Sequence, residues 1–114
     1  MTEMRNIAME QTLTRLCKAS EVPANGVKQV CLLAEGVEIA VYNLNGEYFA
    51  TDDICTHGMV SLSEGEVDCG QIVCPLHGGA FDIRTGKATE APCRVALKTY
   101  KVVLVGDEIH AELG

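Results

Sequence analysis

The sequence predicts one small domain of the all-β class. Apolar residues recur with the period of strands along most of the chain, and short runs rich in Val, Ile and Leu are separated by turns containing Gly, Asn or Pro. The length of 114 residues and the hydrophobic fraction of 47% allow one core and argue against disorder. We therefore expect residues 1–114 to form a single domain.

The first half of the chain has the pattern of four strands that follow a loosely ordered arm at residues 1–11. Asn45 and Gly46 are a strong hairpin signal because both residue types tolerate positive φ. Glu35 and Gly36 mark a second tight turn. The predicted strands are residues 12–17, 27–34, 37–44 and 47–51.

The second half of the chain begins with an irregular segment, residues 52–86, in which Gly, Cys, His and Pro are concentrated. Regular alternation returns only after it. Strands are predicted at residues 71–73, 80–83, 95–105 and 109–113. The sequence thus predicts an all-β domain with one irregular segment, and the candidate functional residues lie in that segment.

Two short motifs in the irregular segment each combine one cysteine with one histidine. They read C-T-H-G at residues 55–58 and C-P-L-H-G-G at residues 74–79. A [2Fe–2S] cluster with two thiolates on one iron and two imidazoles on the other needs this set of donors. The four candidate ligands are Cys55, His57, Cys74 and His77.

Two further interpretations of these motifs stay open on the residues alone. Cysteine is often only a small buried hydrophobic residue, so the motifs could be two unrelated Cys and His pairs. Two Cys and two His are also a tetrahedral zinc set. Zinc fingers usually place both cysteines before both histidines, whereas here the order alternates.

The stretches CTHG and CPLHGGAFDIRTGKA resemble the Rieske ferredoxins of bacterial aromatic-ring-hydroxylating dioxygenase systems, and the similarity runs from about residue 13 to residue 113. The resemblance implies a Rieske fold, in which an antiparallel β-sandwich or barrel-like base carries a smaller cluster-binding subdomain of two loops, here about residues 52–86. In that family, the cysteines bind the inner iron and the histidines bind the outer, more exposed iron. Electrons would then enter and leave at the edge formed by His57 and His77.

The motifs lack features of the Rieske proteins of respiratory and photosynthetic complexes. The motifs of those proteins resemble C-T-H-x-x-C and C-P-C-H-G-S-x-Y. Their two extra cysteines form a disulfide between the loops, and their serine and tyrosine hydroxyls donate hydrogen bonds near sulfur. The corresponding residues here are Val60, Leu76, Gly79 and Phe81. Without the hydroxyl donors, the reduced cluster is less stabilised, and we expect a reduction potential of about −150 mV, at the low end of the Rieske range.

The charge balance and the start of the chain bound its location and partners. The net charge of −7 disfavours binding to nucleic acid or to an anionic membrane surface. Residues 1–10 lack the pattern of a signal peptide, and no apolar run approaches the roughly 18 residues of a membrane span. We expect a cytoplasmic monomer, in which six cysteines suggest metal or redox chemistry rather than disulfides.

The resemblance implies an electron carrier, which is not itself an enzyme. Its partners would be an NAD(P)H-dependent flavin reductase and the terminal oxygenase of an aromatic-ring-hydroxylating dioxygenase system. An oxygenase would also need two histidines for a mononuclear iron, but the chain has three histidines and the cluster takes two, which leaves only His110. The size and the motifs also allow a small subunit of an assimilatory nitrite reductase or a zinc-bound binding module.

Several further residues carry weaker expectations. Cys17 and Cys31 are predicted in the core, whereas Cys69 and Cys93 are predicted to be exposed thiols without a role. Leu62, Leu76 and Met59 could shield the cluster from water. An acidic group near the loops is interpreted as a solvated segment or as a rim for docking a basic partner. Its members are Asp52, Asp53, Glu64, Glu66 and Asp68.

Overall fold

The computed structural model describes residues 13–56, 58–75 and 78–113. The predicted arm at residues 1–11 lies outside this range, as do His57, Leu76 and His77. The described residues form β-strands and two 3-10 turns, at Ala19–Glu21 and Leu62–Glu64, so the all-β prediction is confirmed. The strands are β1 Leu13–Lys18, β2 Gly26–Leu32, β3 Val37–Leu44, β4 Glu47–Asp52, β5 Glu66–Asp68, β6 Gln71–Val73, β7 Ala80–Asp82, β8 Ala88–Glu90, β9 Thr99–Tyr100, β10 Val102–Val105 and β11 Glu108–Glu112.

The strands are arranged in three antiparallel sheets. The first has the order β1-β11-β10 and the second has the order β2-β3-β4-β9, and together they form the base of the molecule. The third sheet has the order β5-β6-β7-β8 and consists of strands of three residues each. Among the described residues, no helix is long and apolar enough to cross a membrane.

Strand β3 lies between two hydrophobic cores. Successive side chains of a strand point to opposite faces. Ile39 and Val41 pack in the core of the base, and Ala40, Tyr42 and Leu44 pack against the third sheet. Burial on both faces explains why this strand is an almost continuous apolar run rather than an alternating one.

The third sheet is held to the base by apolar and charged contacts. Ile72, Phe81 and Ile83 of the third-sheet region belong to the same core cluster as Tyr42. In the turn after β7, the Arg84 guanidinium lies 2.9 Å from a Glu47 carboxylate oxygen and 5.0 Å from the centre of the Phe49 ring. These contacts hold the third sheet, and with it the connection between β6 and β7, against the base.

Most of the predicted strands of the first half are confirmed to within two residues, and the Asn45–Gly46 hairpin is confirmed, with φ of 54° and 91°. The single strand predicted at residues 95–105 is wrong. The chain there forms β9 in the second sheet, leaves it at Lys101 and continues as β10 in the first sheet. Strands β5 and β8 were not predicted, because three-residue strands are too short to show a period.

Candidate metal centre

The first motif lies on a loop closed by its own backbone. The Cys55 N–H donates to the Val60 carbonyl oxygen at 3.0 Å, and a β-bridge pairs Ile54 with Ser61. The loop therefore leaves and re-enters the fold at adjacent points. Cys55, at its start, is only 3% exposed.

The second motif is the connection between β6 and β7, and it is closed in the same way. The Cys74 N–H donates to the Gly79 carbonyl oxygen at 2.6 Å, again five residues along the chain. Cys74 is 1% exposed. Gly78 has a φ of 74°, a conformation that residues with a side chain rarely adopt, so the turn requires glycine here.

Asp53 anchors the first loop to the base. Its side chain is fully buried and accepts hydrogen bonds from the Gln29 amide at 2.8 Å and from the Ser63 N–H at 2.8 Å. Its backbone N–H also donates to the Glu38 carbonyl oxygen at 2.9 Å. Asp53 is thus a structural residue, and its interpretation as part of a solvated segment or of a docking rim is wrong.

Asp52 also makes a structural contact, since its carboxylate accepts a hydrogen bond from the Tyr100 hydroxyl. The remaining acidic residues of the predicted group, Glu64, Glu66 and Asp68, are exposed. The exposed members of the predicted acidic group are therefore fewer than the sequence indicated. They lie in the turn before β5 and in β5 itself.

A third segment, residues 91–98, completes the site and was missed by the sequence analysis. The Thr56 hydroxyl donates to the Val95 carbonyl oxygen at 2.6 Å, which ties this segment to the first loop. The Leu97 N–H donates to the Gly86 carbonyl oxygen at 2.8 Å, which ties it to the turn after β7. The only signal in the sequence was a cysteine between Pro92 and Arg94, and one cysteine does not identify a site.

Cys93 is the central residue of this third segment, and its predicted exposure is wrong. It is 4% exposed, and its Sγ lies 3.8 Å from the Cys55 Sγ. Cys74 is a second side-chain neighbour of the same thiol. Burial raises the pKa of Cys93 to about 12, and the hydrogen bond to Cys55 adds to the shift.

The described residues fit the thiolate half of a [2Fe–2S] donor set. Cys55 and Cys74 are buried in one core cluster, stand at the starts of two loops closed alike, and meet at Cys93. His57 and His77, the predicted imidazole donors, lie outside the described residues. Within residues 13–56, 58–75 and 78–113, no group of three or more His, Cys, Asp or Glu side chains is arranged to hold a metal ion.

The remaining cysteine and shield predictions have mixed outcomes. Cys17 is buried and Cys69 is exposed, as predicted, whereas Cys31 is exposed and its predicted place in the core is wrong. Cys31 lies on β2, an edge strand of the second sheet. Leu62 is fully buried, but Met59 is 89% exposed and does not cover the site.

The comparisons with known proteins agree with this geometry. The family model for the Rieske [2Fe–2S] domain matches residues 12–101. The chain is 43% identical, over 90% of its length and 86% of the relative's, to the ferredoxin component of the p-cumate 2,3-dioxygenase system of Pseudomonas putida.

Two solved structures are similar to the fold described above. The Sphingomonas yanoikuyae B1 ferredoxin has a TM-score of 0.84 and 39% identity, covering 89% of this chain and 98% of that one. A chain in the complex of reduced oxygenase and oxidized ferredoxin in carbazole 1,9a-dioxygenase has a TM-score of 0.83 and 36% identity, covering 90% of this chain and 94% of that one. Together with the two closed loops and their buried cysteines, these matches show that the chain belongs to the Rieske [2Fe–2S] domain family.

Proposed function

We propose that this chain is a one-electron carrier that passes electrons from an NAD(P)H-dependent flavin reductase to the terminal oxygenase of an aromatic-ring-hydroxylating dioxygenase system. The observation that carries the proposal is the pair of equally closed loops, each beginning with a buried cysteine, in a chain whose relatives are ferredoxin components of such systems. When bound, the [2Fe–2S] cluster supplies one-electron oxidation and reduction.

We assign the cluster to Cys55, Cys74, His57 and His77. The two cysteines are 3% and 1% exposed, which supports their assignment to the inner iron. Thr56 and Pro75, which directly follow the two buried cysteines, are exposed, so each loop runs from the core toward the surface after its cysteine. This change supports the assignment of the two histidines, further along the loops, to the outer iron and to the edge where electrons enter and leave.

The same residues support a division of the single domain. The cluster-binding subdomain, about residues 52–86, contains both loops, and the base consists of the first two sheets. The base holds both loops in place. Asp53 anchors the first loop, and the packing of Ile72 and Phe81 supports the second.

The partners follow from the relatives. In the carbazole 1,9a-dioxygenase complex, a ferredoxin with 36% identity to this chain is bound to the oxygenase. Contacts of this kind are weak and bury less than about 1,200 Å². We place the carrier in the cytoplasm as a monomer, with exposed Glu64, Glu66 and Asp68 available to guide a basic partner toward the loops.

The ligand assignment is tested by metal analysis and by electron paramagnetic resonance of the dithionite-reduced protein. Wild type should contain two irons and two acid-labile sulfides per chain, as a [2Fe–2S] cluster requires, and should give a Rieske spectrum. His77→Ala should lose the signal, whereas His110→Ala, in β11 of the base, should keep it. Zinc without sulfide in the wild type would contradict the proposal.

The carrier function is tested by reconstitution with a purified flavin reductase, NADH and a terminal ring-hydroxylating oxygenase. Wild type should support product formation, and Cys74→Ser should not. Cys69→Ser is the matched control, because Cys69 is exposed and lies outside both loops. Equal activity of Cys74→Ser and Cys69→Ser would refute the proposed role.

A further inference from the structure

The Cys93 thiol has no part in the ligand set proposed above, although it lies in the middle of the site. Two cysteines and two histidines already supply all four protein donors of a Rieske-type cluster. Cys93 is nevertheless 4% exposed, with its Sγ 3.8 Å from the Cys55 Sγ. A third buried sulfur beside a metal ligand therefore needs its own explanation.

The position of this thiol is fixed by the surrounding backbone. The Cys93 N–H donates to the Glu90 carbonyl oxygen at 3.1 Å, and the Thr56 hydroxyl holds the neighbouring Val95 at 2.6 Å. Gly79 leaves the space that the sulfur occupies, since a Cβ at that residue would lie 2.4 Å from the Cys93 Sγ. The backbone around Cys93 is therefore anchored, and the space beside Gly79 accommodates its sulfur 3.8 Å from the Cys55 Sγ.

Only one of the two sulfurs can carry the proton when Cys55 binds iron. A cysteine that coordinates a metal does so as the thiolate and has no hydrogen to donate. The S–H group of Cys93 is then the donor and the Cys55 sulfur is the acceptor. Reduction adds negative charge to the cluster and its ligands, so such a bond is stronger in the reduced state.

We propose that Cys93 is a positioning residue whose thiol donates a hydrogen bond to the iron-bound Cys55 sulfur and thereby raises the reduction potential of the cluster. The inference rests on the proposed ligand role of Cys55. It also changes the interpretation of Gly79. The sequence indicated only a missing hydroxyl donor there, whereas the structure shows that the missing side chain makes room for a different donor from the third segment.

The test is a redox titration of anaerobically purified holoprotein, followed by visible circular dichroism. Cys93→Ala removes the donor, and the ratio of reduced to oxidised protein at a fixed applied potential should fall about tenfold, which is about 59 mV for one electron. Cys93→Ser places a stronger donor at the same position, and its ratio should exceed that of wild type.

Cys17→Ala is the matched control, because Cys17 is 3% exposed and lies in the other core, in the base. Its ratio should equal that of wild type. A Cys93→Ala protein with full iron and an unchanged ratio would overturn the inference. If Cys93→Ala does not retain iron, Cys93→Ser decides alone, and a ratio at or below that of wild type would overturn it.

The ligand assignment and the hydrogen bond fail in different measurements. A wild type without iron and acid-labile sulfide would contradict the ligand assignment, whatever the potentials of the variants. A wild type with the Rieske spectrum, together with equal ratios for Cys93→Ala and Cys17→Ala, would leave the ligand assignment intact and remove only the role of Cys93.

Discussion

Substitution of Gly79 by alanine should force apart the second loop and residues 91–98. The added Cβ would lie 2.4 Å from the Cys93 Sγ, 3.1 Å from the Cys93 nitrogen and 3.3 Å from the Cys93 Cβ. Non-bonded heavy atoms are stable at about 3.5–4.0 Å, so the sulfur must retreat by roughly 1 Å. Two of these three atoms belong to the side chain of one buried residue, which has little room to move.

The expected cost follows from overpacking of a core. Extra methyl groups in well-packed interiors typically destabilise by about 1–3 kcal/mol. For a domain of this size, one kcal/mol lowers the melting temperature by about 4–8 °C. We therefore expect Gly79→Ala to melt roughly 4–24 °C below wild type.

The neighbouring glycine provides a control with a different physical cause. Gly78 has a φ of 74°, and no atom of the residues that the structure describes lies within 4 Å of an added Cβ, so we expect Gly78→Ala to cost backbone strain of about 1–2 kcal/mol. The assay is thermal unfolding of anaerobic holoprotein at one scan rate, measured for both variants in wild-type and Cys93→Ala backgrounds.

The background separates the two causes. Removal of the Cys93 sulfur should relieve much of the cost of Gly79→Ala and leave the cost of Gly78→Ala unchanged. Equal costs of Gly79→Ala in the two backgrounds would show that the two residues are not coupled, and would refute the packing argument for Gly79.

Three further predictions concern the base and its link to the loops. Asp53→Ala removes the buried acceptor of two part-buried hydrogen bonds and should lower the free energy of unfolding by about 2–4 kcal/mol in urea, while Asp53→Asn, which keeps an acceptor, should lose less. Burial raises the pKa of Tyr42, so the contribution of its hydroxyl to stability is full below the ordinary tyrosine pKa of about 10 and falls as the pH rises above it. In urea titrations, the difference in free energy of unfolding between wild type and Tyr42→Phe should therefore narrow above about pH 10. A constant difference would contradict this. The hydrogen bond from Arg15 lowers the pKa of Glu108, so the contribution of this ion pair to stability is present above about pH 4.3 and is lost as the pH falls further. The melting-temperature difference between wild type and Arg15→Gln should therefore disappear in acid. A difference that persists at about pH 3 would argue against the ion pair.

The parts of the fold that the sequence predicts well are those with local signals. The strand pairs of the first half have tight turns whose residues require positive φ, and Asn45 and Gly46 adopt it at 54° and 91°. The end of the chain was harder, because alternation in residues 95–105 does not show that the backbone changes sheets at Lys101. Membership of a sheet depends on partners far away in sequence.

The site was predictable as a pair of loops but not as a three-part structure. The spacing of Cys and His identified residues 55–58 and 74–79, since paired donors at short spacing are rare by chance. Cys93 carried no such signal, because its meaning comes from the 3.8 Å separation from the Cys55 Sγ. Asp53 was misinterpreted for a related reason, since the sequence does not reveal which acidic side chains are buried and hydrogen-bonded.

The two faces of β3 have a consequence for how such proteins can diversify. Ile39 and Val41 point into one core, and Tyr42 points into the other, which also contains the three cysteines of the site. The second sheet thus separates the core of the base from the core that contains the cysteines. We expect substitutions in the core of the base to change thermal stability while leaving the reduction potential of the cluster unchanged.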